Sequence, residues 1–255
     1  MRILAIGDIH GCSTAFDTLL STVKPQPNDL IITLGDYVDR GPNSKGIIKR
    51  LIALHKTGQL VALRGNHEVM MLAARLSKKE EAAWRYRGGK ETLMSYGKSD
   101  KVARLKDVPA CHWDFIENVC VDWYETDTHF FVHANARPDL PLAQQPGHML
   151  FWEKFGNPTP HFSGKTMVCG HTSQKSGLPI NLGHAICIDT RVYGKGWLTC
   201  LDVTRGKVWQ ANQAGNVRTA WIEDFAPRLP KATRFKQTNH RPYQGLPISV
   251  KPAQK

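Results

Sequence analysis

Oxygen and nitrogen donors recur in this sequence directly after short apolar runs. The side chains in these positions that carry metal-binding atoms are Asp8, His10, Asp36, Asn66, His67, His133 and His171. Carboxylate, amide and imidazole groups together suit hard to borderline divalent cations such as Mn, Fe or Zn, whereas a softer metal would recruit thiolates. The six cysteines lie beside the donor motifs and not within them. The sequence therefore predicts a site for divalent ions of the harder kind.

Three βα units have to position the first of these donors. Apolar runs at 2–6, 30–34 and 60–63 each end in a polar, glycine-rich turn, and a helical pattern follows each turn. Two of the helices are expected to begin near Ser13 and Asn43, which are favourable N-cap residues. Alternating strands and helices indicate a parallel sheet, and such sheets bind ligands beyond the carboxyl ends of their strands.

The rest of the chain predicts helices followed by a second sheet. Residues 73–118 have a mixed helical pattern that we interpret as a helical insert. The strand-like runs after it are 119–124, 129–132, 166–169, 185–188, 197–201 and 207–210. Few helical patterns separate the last of these runs, so we expect mainly antiparallel pairing in this half. The predicted fold class is α/β, or α+β by some schemes, with two sheets in a four-layer αββα sandwich.

Each candidate residue has a structural explanation when it is taken alone. Asp8 or Asp36 could stabilise a helix N-terminus, and His133 or His171 could be a hydrogen-bonded core histidine. Arg40 could be an ordinary surface cation. These alternatives lose force because three motifs occur in order at strand ends, namely Asp-x-His, Gly-Asp-x-x-Asp-Arg-Gly and Gly-Asn-His-Glu.

The series of motifs resembles that of the phosphoprotein phosphatase (PPP) family of calcineurin-like metallophosphoesterases. The likeness is greatest to the short serine/threonine phosphatases of bacteria and of phages such as lambda. The matching motifs are Gly7-Asp-Ile-His-Gly11, Gly35-Asp-Tyr-Val-Asp-Arg-Gly41, Gly65-Asn-His-Glu68, Val132-His-Ala134 and Gly170-His-Thr172. Residues 183–210 also resemble the closing strands of the family. The resemblance implies a calcineurin-like metallophosphoesterase fold and a phosphatase that acts on phosphate monoesters.

The resemblance further implies a centre for two divalent metal ions. The implied ligands are Asp8, His10 and Asp36 for the first ion and Asn66, His133 and His171 for the second, with Asp36 bridging the two. Paired ions can lower the pKa of a shared water, so the implied reaction is attack of metal-activated hydroxide on phosphorus. We expect Mn ions, with Fe, Zn and Ni as alternatives, because metal availability often decides such sites.

Other residues receive catalytic roles from the same resemblance. His67 would be the general acid, Asp39 would orient its imidazole, and Arg40 would bind the phosphoryl oxygens. Asn66 is a further candidate for contact with phosphate. Lys154 stands where family members often place a second phosphate-binding arginine, and it would offer a point charge in place of a planar fork.

Two other functions stay open at this point. The first is a bis(5′-nucleosyl)-tetraphosphatase, but those enzymes typically lack the acid that corresponds to Asp39 and have aspartate in place of Glu68. The presence of Asp39 and Glu68 in this sequence favours phosphoserine or phosphothreonine in proteins as substrate, with phosphotyrosine as a further candidate. The second is a catalytically inactive nucleic-acid or scaffold-binding module, which is disfavoured because all six implied metal ligands are present.

The charge distribution divides the chain into a catalytic domain, predicted for residues 1–225, and a basic tail. The formal net charge is +12. Residues 226–255 contain seven lysines and arginines, five prolines and no acid, a composition that predicts a flexible tail. Nucleic acid is therefore an unlikely partner of the main domain, although the tail could contact polyanions.

Composition also bears on location. No apolar run approaches the roughly 20 residues that span a bilayer, and the N-terminus shows no export signal. The six cysteines form no Cys-x-x-Cys pair, which is typical of free thiols in a reducing compartment. We expect a cytoplasmic monomer that acts on a phosphorylated protein or a small phosphoester and that does not associate with membranes.

Overall fold

The computed structural model describes residues 1–98 and 101–227. The tail assigned to residues 226–255 lies outside the described residues after Pro227, so its flexibility and its contacts stay predictions. Within the described ranges, no helix combines the length and the apolar character that crossing a membrane requires.

The described residues form eleven strands and seven α-helices. The strands are β1 Ile3–Ile6, β2 Leu30–Thr33, β3 Leu60–Ala62, β4 Trp123–Glu125, β5 His129–Val132, β6 Thr166–Cys169, β7 Ile180–Asn181, β8 Ala185–Cys187, β9 Leu198–Asp202, β10 Lys207–Ala211 and β11 Val217–Trp221. The helices are α1 Ser13–Val23, α2 Ser44–His55, α3 Asn66–Ala73, α4 Lys78–Trp84, α5 Lys90–Tyr96, α6 Ala110–Asp114 and α7 Gly147–Trp152. Two π-helical turns, Arg85–Gly89 and Phe115–Val119, continue α4 and α6.

The first sheet has the strand order β11-β10-β9-β1-β2-β3. Strands β1, β2 and β3 pair in parallel, as the βα pattern predicts. On its other edge β1 pairs with β9 in antiparallel fashion, with Ala5 opposite Leu201. Strands β9, β10 and β11 therefore complete the first sheet and do not contribute to the second. The exposed strand β11 was not predicted.

The second sheet has the order β4-β5-β6-β8-β7. The prediction of mainly antiparallel pairing is wrong for its centre, because β5, β6 and β8 are parallel. Parallel neighbours need long crossover connections, and here those connections are largely irregular, so they left no helical period in the sequence. The run 119–124 is also shorter than predicted, since only Trp123 and Tyr124 of that run lie in β4.

Three apolar layers hold the sandwich together. Ala5, Ile32 and Phe131 belong to the cluster between the two sheets. Phe130, the neighbour of Phe131 in β5, packs with Leu150 of α7 in a separate cluster on the outer face of the second sheet, as the two-residue period of a strand requires. A third cluster lies between the first sheet and helices α1 and α2. The predicted α/β class and αββα layering are confirmed.

Residues 73–118 contain α4, α5 and α6, and they share the core of the first sheet. Trp84, Leu93 and Phe115 are buried in the same cluster as Ile31 and Leu60. Burial of large aromatic side chains contributes roughly 1.5–3 kcal/mol each. The helical region is therefore anchored to the sheet that carries the first of the predicted metal donors.

One of the two predicted N-caps is confirmed. Asn43 caps α2, since its Oδ1 accepts a hydrogen bond from Gly46 N at 3.0 Å. The prediction for Ser13 is wrong, because Ser13 is the first residue of α1 and Cys12 occupies the cap position without a side-chain hydrogen bond. The hydroxyl of Ser13 instead accepts a hydrogen bond from Asn43 Nδ2 at 3.1 Å, which joins the starts of α1 and α2.

Candidate metal centre and active site

Strand ends from both sheets deliver the predicted donors to one edge of the sandwich. Asp8 and His10 follow β1, Asp36 follows β2, Asn66 and His67 begin α3, His133 follows β5 and His171 follows β6. The carboxyl ends of parallel strands share an edge of a sheet, and both sheets turn this edge to the same side. Residues up to 163 positions apart thus come into contact, as His171 N does with the carboxylate of Asp8.

The donors converge around Asp36. Its Oδ2 lies 3.4 Å from His10 Nε2 and 3.9 Å from His67 Nε2, while its Oδ1 lies 3.5 Å from His133 Nε2. A carboxylate oxygen of Asp8 lies within 4.8 Å of the facing ligand atoms of Asp36 and His133. The two oxygens of Asp36 therefore face two different sets of donors.

Backbone carbonyls fix the protonation of two imidazoles. His10 Nδ1 lies 2.9 Å from Val38 O and His133 Nδ1 lies 2.7 Å from Leu34 O. Because a carbonyl can only accept, each of these nitrogens carries the proton and each Nε2 keeps a lone pair. Burial lowers the pKa of both histidines, which favours the neutral form that binds metals. Orientation of a ligand histidine by a carbonyl is common in metal sites.

Asn66 lies where two such lone pairs meet. Its Oδ1 is 3.0 Å from His133 Nε2 and 3.3 Å from His171 Nδ1, while His171 Nε2 faces the carbonyl of Trp152 at 3.1 Å. Three acceptor atoms therefore point at one another, an arrangement that a cation would satisfy. Reversal of the Asn66 amide would instead let its NH2 group donate to Asp36 and His133.

Negative charge accumulates beneath the centre. Burial, followed by the nearby carboxylates of Asp189 and Asp36, raises the pKa of Asp8. Asp189 is itself buried and accepts hydrogen bonds from Ser173 Oγ at 2.6 Å and Arg191 N at 3.0 Å. Three buried carboxylates so close together require a positive partner. The donor set thus fits divalent metal ions in chemistry as well as in arrangement.

Strained backbone marks the same residues. Non-glycine residues rarely have positive φ, yet His10, Asp36, Asp39, Arg40 and His171 have φ angles between 44° and 73°. Such conformations cost of order 1–3 kcal/mol each and persist only where surrounding contacts enforce them. The sequence shows no sign of this strain except for the glycines beside the motifs.

The carboxylate of Glu68 supplies many of those contacts. It is fully buried and accepts hydrogen bonds from the backbone N–H groups of Gly65, Asp36, Tyr37 and Val38 at 2.7–3.2 Å. Burial, followed by the charge of Asp36, raises its pKa to about 7, while the four N–H donors favour the ionised form. Glu68 therefore ties the turn after β2 to the start of α3.

His67 and Asp39 form a buried pair beside the donors. His67 Nδ1 lies 2.6 Å from Asp39 Oδ2, and the same carboxylate accepts from Trp84 Nε1 at 2.9 Å and Thr92 Oγ1 at 2.7 Å. Burial raises the pKa of Asp39, but a carboxylate with three donors is best assigned as ionised. Burial opposes charge on His67, yet Asp36 and Asp39 outweigh it and raise its pKa.

An open cleft of about 590 Å³ lies above the donors. Its lining residues are Asp36, Arg40, Asn66, His67, Met70, Arg87, Trp152, Lys154, His171, Thr172, Ser173 and Tyr193. The guanidinium of Arg40 lies 4.6 Å above the ring of Tyr193, and its NH1 is 2.9 Å from His10 Nε2. The cleft thus combines cations at its wall with the donor cluster at its floor.

Most of the chain matches the sequence model of one protein family. The sequence model of the family Metallophos, described as calcineurin-like phosphoesterase, matches residues 1–188. The chain belongs to the calcineurin-like phosphoesterases. Metal-binding hydrolysis of phosphoesters is the chemistry that this family name states, and the His and Asp clusters of the structure agree with it.

Curated relatives of this calcineurin-like phosphoesterase carry two different names. Serine/threonine-protein phosphatase 1 of Salmonella typhimurium is 39% identical over 89 residues, covering 34% of this chain and 39% of that protein. A symmetrical bis(5′-nucleosyl)-tetraphosphatase of an Acidovorax species is 41% identical over 75 residues, covering 29% and 26%. The chain thus spans well under two thirds of either relative. Their names agree on phosphoester hydrolysis and differ on the substrate.

Solved structures show the same fold. A putative diadenosine tetraphosphatase has a TM-score of 0.59 with 20% identity, covering 86% of this chain and 93% of that one. A protein-tyrosine phosphatase of a Shewanella species has a TM-score of 0.55 with 18% identity, covering 86% and 80%. A protein serine/threonine phosphatase of Saccharomyces cerevisiae has a TM-score of 0.54 with 15% identity, covering 91% and 82%.

The structure brings all of the sequence-predicted site residues to this edge. Nine of them surround or adjoin the donor cluster, namely Asp8, His10, Asp36, Asp39, Arg40, Asn66, His67, His133 and His171. Lys154 lines the cleft, and it contributes to lowering the pKa of His171, after burial and His133, to about 3.

Several residues of the site carry no sequence motif. Trp84 and Thr92 reach Asp39 from the helical region, Asp189 and Tyr193 come from the segment after β8, and Arg87 projects from a π-helical turn. The one sequence signal among them is Trp84 itself, a large aromatic side chain of the kind that packs in a core. These side chains reach the centre by tertiary packing, which local patterns do not encode.

Proposed function

We propose that this calcineurin-like phosphoesterase is a dinuclear-metal phosphatase that hydrolyses phosphate monoesters, foremost phosphoserine and phosphothreonine in proteins, with phosphotyrosine as a further substrate. The buried pair of His67 and Asp39, 2.6 Å apart at the cleft floor, carries the proposal. An alkoxide leaving group requires a proton as the ester bond breaks, and general acids typically contribute 10²- to 10⁴-fold. The pair supplies such a proton.

The proposed metal ligands are Asp8, His10, Asp36, Asn66, His133 and His171, with Asp36 shared between two ions. Manganese is the proposed metal, with iron, zinc and nickel as alternatives. When bound, such ions supply Lewis acidity and an activated water. Support comes from the neutral imidazoles, from the convergent acceptor atoms at Asn66 and from the buried carboxylates near Asp8.

The remaining residues act on the substrate. Arg40 would hold the phosphoryl oxygens, aided by Asn66 and Lys154, all of which line the cleft. His67 would donate from Nε2 to the leaving oxygen, because its Nδ1 is engaged by Asp39. The Asp39 carboxylate stabilises the imidazolium before the proton is given up.

The alternative function is that of a bis(5′-nucleosyl)-tetraphosphatase, with a dinucleoside tetraphosphate as substrate. Several curated relatives bear that enzyme name, including one of Pseudomonas syringae that is 28% identical over 149 residues. A nucleotide leaving group is far less basic than an alkoxide, so it gains little from a general acid. The intact pair of His67 and Asp39 therefore favours the monoester.

A side-by-side assay decides between these substrates. Full-length protein is reconstituted with Mn²⁺, and kcat/KM is measured for a phosphoserine peptide, a phosphotyrosine peptide, diadenosine tetraphosphate and p-nitrophenyl phosphate. We expect the phosphoserine peptide to be preferred to diadenosine tetraphosphate. The reverse order would favour the tetraphosphatase. If none of the substrates is hydrolysed with manganese, iron, zinc or nickel, an inactive binding module would be favoured.

The division into a catalytic domain of residues 1–225 and a tail of residues 226–255 also stays a proposal. The monomeric state and the cytoplasmic location are proposals as well. The location is supported by the six cysteines, all of which are free thiols, as is typical of a reducing compartment.

A further inference from the structure

A second cavity adjoins the catalytic cleft. Its volume is about 430 Å³, and the side chains that line it are those of Arg40, Arg85, Tyr86, Arg87, Lys90 and Glu91. Arg40 and Arg87 line the catalytic cleft as well. The two cavities therefore share two arginine side chains, one of which is the proposed phosphate ligand.

Positive charge predominates in this second cavity. Four of its lining residues are cationic, and Glu91 is the single acid among them. Arg85 is partly neutralised, because its guanidinium pairs with Glu81 at 2.6 Å. Within residues 1–98 and 101–227, neither Arg87 nor Lys90 has an acidic side chain within ion-pair distance. These two exposed side chains are thus available to a bound anion.

Arg87 is especially free to bind a ligand. Among the described residues its side chain makes a single hydrogen bond, from NH1 to Ala83 O at 3.3 Å. A guanidinium carries five N–H donors in a planar fork that matches carboxylate and phosphate groups. The adjacent ring of Tyr86 is 91% exposed, which offers an apolar surface beside the charges.

The segment that presents Arg87 is fixed to the catalytic residues. Gly88 O accepts a hydrogen bond from Arg40 N at 3.2 Å, and Trp84 Nε1 donates to Asp39. Gly88 has a φ of 118°, and a Cβ there would lie 2.8 Å from Arg40 N, so only glycine fits this approach. The backbone that carries Arg87 is therefore already ordered, and only the side chain has to be immobilised when a ligand binds.

We propose that this second cavity is an anion subsite, which binds an acidic side chain flanking the phosphorylated residue of a protein substrate. The inference rests on the proposed function as a protein phosphatase. When Arg40 holds the phosphate, the adjoining peptide passes over Arg87 and towards Lys90. An extended chain advances about 3.3 Å per residue, so the subsite serves acids within a few residues of the phosphate.

Matched phosphoserine peptides test the subsite. Glutamate is placed at each position from two before to two after the phosphoserine, and each peptide is compared with its glutamine counterpart. We expect the wild-type enzyme to favour glutamate on one side of the phosphoserine by about tenfold in kcat/KM, and to lose this preference in high salt. Equal kcat/KM for all peptides at low salt would overturn the inference.

Charge-neutralising variants locate the effect. Lys90→Gln should lower kcat/KM for the favoured glutamate peptide by about two- to fivefold, mainly through KM, and leave p-nitrophenyl phosphate unchanged. Arg87→Gln should reduce the ratio of glutamate to glutamine kcat/KM further. The matched control is Lys56→Gln, an exposed lysine at the opposite end of α2 from Arg40. An equal change in the ratio for Lys56→Gln would rule the cavity out.

A competition assay separates failure of the subsite from failure of the proposed function. If no phosphopeptide is hydrolysed, the proposed function is wrong, but the same peptides can compete with p-nitrophenyl phosphate. A lower inhibition constant for the glutamate peptide than for the glutamine peptide, abolished by Lys90→Gln, would still establish the subsite. Equal inhibition constants would refute it.

Discussion

The imidazole of His67 has two distinct sides. Nδ1 is held by Asp39, which Trp84 and Thr92 also contact, while Nε2 faces Asp36 at 3.9 Å. One side of the ring is therefore fixed, and the other is turned towards the reacting groups. This difference between the two nitrogens suits a proton donor, because the contact of Nδ1 sets the tautomer and Nε2 delivers the proton.

His67→Asn should reveal that role through the leaving group. We expect a phosphoserine peptide to lose about 10²- to 10³-fold in kcat, because its alkoxide must be protonated. p-Nitrophenyl phosphate should lose less than about tenfold, since its leaving group hardly needs a proton. Steady-state kinetics on metal-loaded protein measure both. Metal content by mass spectrometry should be unchanged, and equal losses on the two substrates would remove His67 from the acid role.

Residues with local motifs were predictable, and residues without them were not. The donors Asp8, Asp36 and Asn66 follow strands in recognisable turns, so the sequence alone indicated that they would meet. Asp189 and Arg87 belong to no such motif, and each reaches the site only after distant segments pack. Glu68 marks the substrate class in the sequence, but its contacts with four backbone N–H groups arise only when the turn after β2 packs against the start of α3, which no local pattern predicts.

Glu68 links two elements, the turn after β2 and the start of α3. We predict that Glu68→Gln lowers the free energy of unfolding by about 2–4 kcal/mol, because an amide NH2 would face backbone N–H groups that a carboxylate oxygen now accepts. Chemical denaturation measures the change. Glu223→Gln, in the exposed 3-10 turn after β11, is the control and should change stability by less than about 0.5 kcal/mol. A neutral Glu68→Gln variant would show that the carboxylate is dispensable.

Arg2 and Asp29 join the starts of β1 and β2. Burial opposes the charge of Asp29, but hydrogen bonds from Arg2 and Gln26 outweigh it and lower its pKa to about 2. The stability from this ionised carboxylate is therefore complete above the unfolded pKa, near 3.9. It is lost as the pH falls through about 2.

Asp29→Asn should cost about 2 kcal/mol at pH 6 and progressively less as the pH falls from about 4 to 2. Urea denaturation of wild type and variant across that range measures the difference. The control is Asp17→Asn, which removes the exposed pair of Asp17 with Arg50 and should cost less than about 1 kcal/mol at any pH. A pH-independent cost for Asp29→Asn would contradict the assignment.

The crossovers show where pattern reasoning fails for elements. Parallel pairing of β1 to β3 was predictable because amphipathic helices lie between them. The connections between β5, β6 and β8 are mostly irregular, and an irregular connection does not reveal the direction in which the next strand returns. Strand β11 has exposed residues on alternate positions and therefore lacks the apolar signal of a buried strand.

On the scale of the whole molecule, both sheets contribute donors to one centre, so metal binding should stabilise the sandwich as a unit. We predict that EDTA lowers Tm by about 5–10 °C relative to protein in excess Mn²⁺, as expected for ligands at about 100 times Kd. Differential scanning calorimetry measures the shift. Asp36→Asn should show a much smaller shift, and an identical Tm with and without Mn²⁺ would exclude ion binding at this centre.

Strand β1 lies between β2 and β9, although about 170 residues separate β2 from β9 in the chain. Gly7, which immediately precedes Asp8, donates its backbone N–H to Thr199 O at 3.1 Å. During synthesis, all of β9 up to Asp202 must therefore emerge from the ribosome before β1 gains its second neighbour. The strand that precedes Asp8 and His10 is therefore completed on both edges only after β9 has been synthesised, and a chain that stopped before β9 would leave a strand edge open to aggregation.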